Sequence, residues 1–417
     1  MRKGDNGMKF KELKTASGLM LYHMYLPWSQ SVASGVLVKV GTLDENWPDE
    51  AGLAHASEHM RFQGTTNPYF PNSQAISACC ENVGGYINAW TGYEGTFFYN
   101  VLPALEFSRS PYLLADMMLN PAFPEEKINV EMNNIIQEIK RDNDDPMGFL
   151  GDKFTELMYS GSLYSRRILG IESSVGAFTR KHFLDFADRF FNSNNFTFFV
   201  VGNVAESEVI ISFDEYFFRH CGEKNNNRQI NTPDLPAQTT VFPKEIEQVH
   251  LMIGFQPTVM AEKDIQALRL FSYMIDGGMS FPLFQIVRDK HGLCYHVNAG
   301  CQRGSGNLCH FEFYVGTDPQ KYQKAEELIL KIVDDCKNDM NLLSRAKELM
   351  LGRLALSYEN TSNILMNAVR DVLETGKPKS QQERMNAVKS VTIEDVKKAV
   401  IMYLTPERMI RVMLKPK

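Results

Sequence analysis

Gly52-Leu53-Ala54-His55-Ala56-Ser57-Glu58-His59-Met60 is the stretch on which the reading of this chain turns. It has the form His-x-x-Glu-His. On a helix, residues four apart share one face, so His55 and His59 can both reach one metal ion. Glu58 borders that face and stands directly before His59, so it need not ligate and can lie beside a water held at the metal. The order is that of the inverted two-histidine zinc helix. Two histidines on a helix can also merely pack or face water. Five residues in this order, within a segment that reads as a helix over 50–63, favour the metal.

Two histidines leave zinc short of a third protein ligand, because catalytic zinc commonly takes three and keeps one position open. The segment 124–142, PEEKINVEMNNIIQEIKRD, offers candidates. Ile128, Ile135 and Ile139 form a helical apolar stripe, and NDDP stops the helix after it. Glu131 and Glu138 lie two turns apart on one face. One can bind the metal while the other supports it. Spacing alone does not separate that arrangement from two solvated carboxylates.

Working outward, 33–41 reads as a Val-rich strand, and the helix 50–63 ends near Gly64. Residues 85–102 read as a strand pair turning at Gly92 to Gly95. Helices are predicted at 103–119 and 124–142, a mostly helical stretch continues to about 193, and a strand runs from Phe196 to Val201. Residues 223–236, EKNNNRQINTPDLP, are the best linker candidate. The order then recurs, with a strand at 248–255, helices at 263–276 and 279–290, a strand pair at 294–316, and helices at 319–338 and 341–358. Ile87-Asn88-Ala89 and Val297-Asn298-Ala299 open the two strand pairs, a local echo of duplication. The expected fold is α+β. It has two similar domains, 1–222 and 237–417, each a mostly antiparallel sheet with helices packed on one face.

The bulk numbers are compatible with this. A chain of 417 residues exceeds one ordinary core. A net charge of -6 argues against a nucleic-acid partner. Seven cysteines, with no Cys-x-x-Cys pair, argue against a disulfide framework or a cysteine zinc site and suit a reducing compartment. The opening MRKGDNGMKFKELKTASG has no apolar run and so shows no secretory signal. The longest stretch without Asp, Glu, Lys or Arg, Thr15 to Val38, is broken by His23, Pro27 and Gln30 and does not read as a membrane span. The expected location is cytoplasmic, with an organelle reached through a presequence already removed as the alternative.

His55 to His59, followed by Glu131 and Glu138, resembles the pitrilysin/insulinase family of inverted-zincin metallopeptidases. The closest resemblance is to the two-domain members like the mitochondrial processing peptidases. Gly41-Thr42-Leu43-Asp44-Glu45, Phe62-Gln63-Gly64-Thr65 and Gly84-Gly85-Tyr86-Ile87-Asn88-Ala89-Trp90-Thr91 resemble the family's segments around the zinc helix and its substrate strand. In the second half, Arg288 to Tyr295 resembles its Arg-x6-Tyr motif, and Arg345-Ala346-Lys347 and Tyr358-Glu359-Asn360-Thr361 its last helices. Ser57 and Arg61 stand where apolar residues are common, and Phe281 where a Ser is common.

The resemblance implies one zinc ion per chain, held by His55, His59 and Glu138. Glu58 is then the catalytic base and Glu131 supports the ligands. Peptides or unfolded protein segments are the implied substrate, held as an added strand on 85–91 with Asn88 and Ala89 nearest the cleft. Arg288 and Tyr295 contact the substrate carbonyl, and Phe62 lines the pocket for the residue after the cleaved bond. Read as residues alone, Arg288 equally suits a surface salt bridge, Tyr295 and Phe62 suit core aromatics, and 85–91 an interior strand. Longer relatives carry four such domains around a closed chamber. A two-domain chain is therefore expected to pair, as a homodimer with Arg288 and Tyr295 acting in trans, or as a heterodimer with a related zinc-free chain. Two other classes compete. One is a non-catalytic structural or assembly subunit on the same fold, which typically loses part of the motif. The other is a module with structural zinc, which requires a fourth ligand.

Overall fold

The computed structural model of the chain describes residues 8–217, 228 and 231–417, so most of the expected linker lies outside the described residues. The chain forms two compact units. The first takes residues up to Lys140, the stretch from Arg166 toward the linker, and Ser357–Gln381. The second takes Arg141–Ser165, the chain from the linker to Leu356, and Gln382–Lys417.

The first unit is built on β1 (Lys11–Lys14), β2 (Met20–Tyr25), β3 (Ser31–Val38), β4 (Tyr86–Thr91), β5 (Thr96–Pro103) and β6 (Phe196–Gly202). Their order in the sheet is β1-β2-β6-β3-β5-β4. Every pairing is antiparallel except β2 with β6. β6, FTFFVVG, is buried throughout, and β3, SVASGVLV, throughout after its first residue. Such unbroken apolar runs belong to strands covered on both faces. A Cβ on Gly35 would lie 2.3 Å from the Phe97 ring, so β5 can place that ring only over glycine. Four helices supply the main layer: α1 (Leu53–Arg61), α2 (Ser73–Glu81), α3 (Arg109–Leu119) and α4 (Glu125–Asp144). Val32, Val36 and Val38 share one core with Leu53, Met60, Leu113, Met117 and Ile135. The helix Thr361–Thr375 packs on β3 and β6 as well, with Thr361 Oγ1 2.9 Å from Ser31 Oγ.

The second unit holds α5 (Pro146–Met158) and the strands β7 (Gln238–Lys244), β8 (Val249–Val259), β9 (Cys294–Arg303), β10 (Leu308–Thr317) and β11 (Met409–Pro416), ordered β7-β11-β8-β10-β9. Among the described residues the only parallel pairing of this sheet is β7 with β11. Leu251, Ile253 and Phe255 of β8 share a core with the helices Glu262–Asp276 and Tyr322–Cys336. Gly254 points to α5, where a Cβ would lie 1.9 Å from Met158 and 2.4 Å from Phe154. Hydrocarbon from α5 fills that space, which explains why 141–165 belongs to the second unit although it precedes the linker.

Apart from β1, the first sheet repeats the second strand for strand. β2-β6-β3-β5-β4 matches β7-β11-β8-β10-β9 in order and in parallel or antiparallel sense. The short echo is also in register across the ladder. Asn88 and Ala89 oppose Tyr99 and Phe98, and Asn298 and Ala299 oppose Tyr314 and Phe313. The architecture is thus α+β in two related halves. Among the described residues no helix is long and apolar enough to cross a membrane.

Candidate metal centre

The helix α1 is fixed at both ends. It starts at Gly52, whose φ of +88° favours glycine and where a Cβ would meet Leu169 O at 2.7 Å. The buried carboxylate of Glu45 accepts from Gly52 N at 3.1 Å and Ala54 N at 2.9 Å, satisfying two of the first backbone donors. Burial pushes the Glu45 carboxyl up to about 8, while these N–H groups and Arg166 draw it the other way. At the far end Arg61 is fully buried and donates to Met117 O and Met118 O, each at 2.9 Å. Its guanidinium lies 3.3 Å from the centre of the Phe191 ring. The arginine that stands in an apolar position therefore ties α1 to the end of α3.

Between those anchors the His55 and His59 rings lie 4.6 Å apart, edge to face. α4 runs beside them. His55 Nε2 is 3.9 Å from Glu138 Oε2, and His59 Nδ1 is 3.5 Å from Glu131 Oε2. One donor atom from each of His55, His59 and Glu138 falls within 4.8 Å of the others, and this is the only such cluster among the described residues. Glu131 lies behind it, against the His59 nitrogen, in the position of a carboxylate that orients a ligating imidazole. Burial, and then the neighbouring His59, lower the His55 pKa to about 3, so this ring stays neutral with a lone pair to give. A tetrahedral zinc with ligands at roughly 2.0–2.2 Å sets neighbouring donors about 3.5 Å apart. The two imidazoles and one carboxylate present here fit that requirement with small adjustments.

Glu58 is 8% exposed. Its Oε2 accepts from Thr91 Oγ1 at 2.5 Å. Burial raises its pKa, opposed by the Thr91 hydrogen bond and by His59, with Glu138 adding to the rise. Ser57, its neighbour, is wholly buried.

Among the described residues β4 is an edge strand, with β5 on one side only. Asn88 is exposed and Ala89 half-buried, and Ala89 N–H donates to Asn88 Oδ1 at 2.8 Å. Phe62, directly after α1, stacks on Phe98 at 6.2 Å and packs partly buried against the core. β4 carries no charge and no proline, whereas the opposite edge β1 carries Lys11, Glu12 and Lys14. Charges of that kind blunt an edge, and β4 lacks them.

In the second unit, Arg288 sits in the π-helical segment Leu283–Lys290, a form frequent at functional sites. Its guanidinium lies 4.4 Å from the Tyr295 ring and 4.7 Å from the Phe284 ring. Tyr295 is 77% exposed, which removes the core-aromatic alternative for it. Phe281 is buried, with the Arg345 guanidinium 4.6 Å above its ring. Sequence reasoning missed the parts played by Thr91, Glu45 and Phe284. Phe284 stands four residues before Arg288, a helical spacing that could have pointed to it. Nothing local points Thr91 toward Glu58, 33 residues away.

Comparison with known proteins agrees with this geometry. Residues 24–171 match the family model "Insulinase (Peptidase family M16)", and 177–350 match "Peptidase M16 inactive domain". A Rickettsia felis protein named "Uncharacterized zinc protease" is 29% identical over 403 residues, with 93% of each chain covered. The Bacillus subtilis "Uncharacterized zinc protease YmxG" is 28% identical, covering 89% of this chain and 90% of its own. A solved protease from Helicobacter pylori shares the fold with a TM-score of 0.89, at 20% identity, over 98% of this chain and 100% of its own. The chain belongs to the pitrilysin/insulinase family of peptidases.

Proposed function

We propose that this chain is a zinc metalloendopeptidase that cleaves peptides or extended protein segments. The observation that carries the reading is the convergence of His55, His59 and Glu138, with Glu58 buried beside them and the uncharged edge strand β4 next to α1. His55, His59 and Glu138 would hold one zinc ion, which when bound supplies a Lewis acid that polarises the scissile carbonyl and eases deprotonation of water. Glu58 takes the proton of the attacking water and passes it to the leaving amine. Glu131 keeps the His59 ring turned to its task. Asn88 and Ala89 hold the substrate backbone as an added strand, which demands little of its sequence. Phe62 borders the pocket for the residue after the cleaved bond. Arg288 and Tyr295 donate to the substrate carbonyl.

The same reading makes the chain a two-domain member like the mitochondrial processing peptidases, working as a homodimer around a closed chamber. Arg288 and Tyr295 of one subunit then serve the zinc of the other. Mixing Glu58→Gln chains with Arg288→Ala chains tests this arrangement. Re-paired dimers regain activity if the sites act in trans and stay inactive otherwise. The reading as a whole is tested with a quenched extended peptide. Cleavage should stop with a chelator and return with zinc. Purified protein that binds no zinc and cleaves nothing would favour the non-catalytic subunit instead.

A further inference from the structure

Thr91 ends β4, and its hydroxyl donates to Glu58 Oε2 at 2.5 Å. We propose that Thr91 is a positioning residue for Glu58: it anchors one carboxylate oxygen so that the other is left free to take the proton of water. This rests on the reading of Glu58 as the base.

The chemistry of the two groups supports the division of labour. A hydroxyl has one proton to give, and a carboxylate has two acceptor oxygens. With Oε2 occupied by Thr91, Oε1 keeps its lone pairs for the reaction. A glutamate side chain turns about three bonds, and burial removes the water that would otherwise share in holding it. A β-branched threonine on a strand is stiff about its first bond, so its hydroxyl is a fixed point.

The surroundings hold that point still. Thr91 pairs with Thr96 at the end of the ladder, and Thr96 Oγ1 donates to Val40 O at 2.9 Å. The turn that follows is closed by Gly92 N donating to Gly95 O at 2.9 Å. Gly92 O accepts from Thr42 N at 3.2 Å, and Tyr93 O accepts from Leu43 N at 3.0 Å. A Cβ on Gly41 would lie 2.3 Å from Gly92 O, so the two segments meet only because glycine stands there. The segment 41–45 thus grips the turn after Thr91 and, through Glu45, the start of α1. The base and its anchor are held from one short piece of chain. Because Thr91 belongs to the strand proposed to receive the peptide, the orientation of the base is also tied to the register of the substrate.

Thr91→Val removes the hydroxyl and keeps the shape, Thr91→Ala removes both, and Thr91→Ser keeps the hydroxyl. Zinc content, kcat and KM would be measured for each on the same quenched peptide. The Val and Ala chains should load zinc as the wild type does and hold KM within about 2-fold, while kcat falls about 10-fold to 100-fold. The Ser chain should recover most of kcat. A merely structural role would move zinc content or KM along with kcat and would not be rescued by Ser. Wild-type kcat in the Val or Ala chain, or equal loss in Val and Ser, would overturn the proposal. A wild-type chain without chelator-sensitive cleavage would instead overturn the peptidase reading, and this proposal with it.

Discussion

α1 and the helix Glu262–Asp276 hold the same place in two sheets of the same topology, each following the central strand that leads into it. They have been put to opposite uses. α1 buries His55 and Glu58 and half-buries His59. The other helix has no histidine and buries Ile265, Leu268, Phe271, Met274 and Ile275. Polar groups in a core are costly unless partnered. The first half supplies partners, with Glu45 at the head of α1, Thr91 on Glu58 and Glu131 on His59. The second half fills the same place with hydrocarbon.

The edge strands diverge in the same way. Ala89 N–H of β4 donates only as far as the exposed side chain of Asn88. Ala299 N–H of β9, at the matching place, donates to Asp276 Oδ2 at 2.9 Å. Asp276 ends the helix that takes the place of α1, and burial raises its carboxyl pKa. One edge is left open while its duplicate is closed by a half-buried side chain.

The comparison breaks most sharply at Glu58. Glu58→Gln should keep its zinc and lose about 100-fold to 10,000-fold in turnover, since the ligands remain and the base is gone. Native turnover in a metal-loaded variant would remove Glu58 from that role. Next come the two glutamates of α4. Glu138→Gln should weaken zinc binding beyond the effect of Glu131→Gln, which should cost about 10-fold to 100-fold as the loss of a supporting carboxylate. Titration against a competing chelator gives the order, and the reverse order would exchange their roles.

Glu45 tests how the polar half tolerates its burial. Its carboxyl is raised from 4.5 to about 8 in the folded chain, so the folded state holds this proton more tightly than the unfolded state does. Its contribution to stability is complete below the lower value and is lost as pH rises through the higher one. Glu45→Gln abolishes that titration. The stability of the wild type relative to the variant should therefore fall from about pH 5 to about pH 8, by up to about 1.4 kcal/mol per pH unit. Urea unfolding at several pH values measures it, and parallel curves would contradict it. The smallest effect concerns the edges. A lysine blunts an edge, so Asn88→Lys should lower kcat/KM by about 10-fold, against less than about 3-fold for Asn298→Lys. Equal losses would mean that both edges, or neither, receive the peptide.

Much of this contrast was legible in the sequence, where periodicity and local chemistry suffice. The segment 50–63 contains α1, 124–142 nearly coincides with α4, and the strand pairs expected at 85–102 and 294–316 match β4–β5 and β9–β10 to within a residue at their ends. What escaped depends on distant partners. β7, with Pro243 inside it and a parallel neighbour far along the chain, gives little local signal. α5 and Thr361–Thr375 read as helices of their own halves of the sequence. Only the fit of Phe154 and Met158 over Gly254, and of Thr361 beside Ser31, assigns each to its unit. At the site, the His-x-x-Glu-His order announces itself, but Glu45 and Thr91 look like ordinary loop and strand residues until the backbone brings them to α1.

The central claim is that one half holds the metal and its duplicate does not. Zinc per chain, measured by atomic emission on the purified whole protein and on its His55→Ala/His59→Ala variant, tests it most directly. One zinc in the wild type and none in the variant is the predicted result. No zinc in the wild type, or a full equivalent retained by the variant, would contradict it.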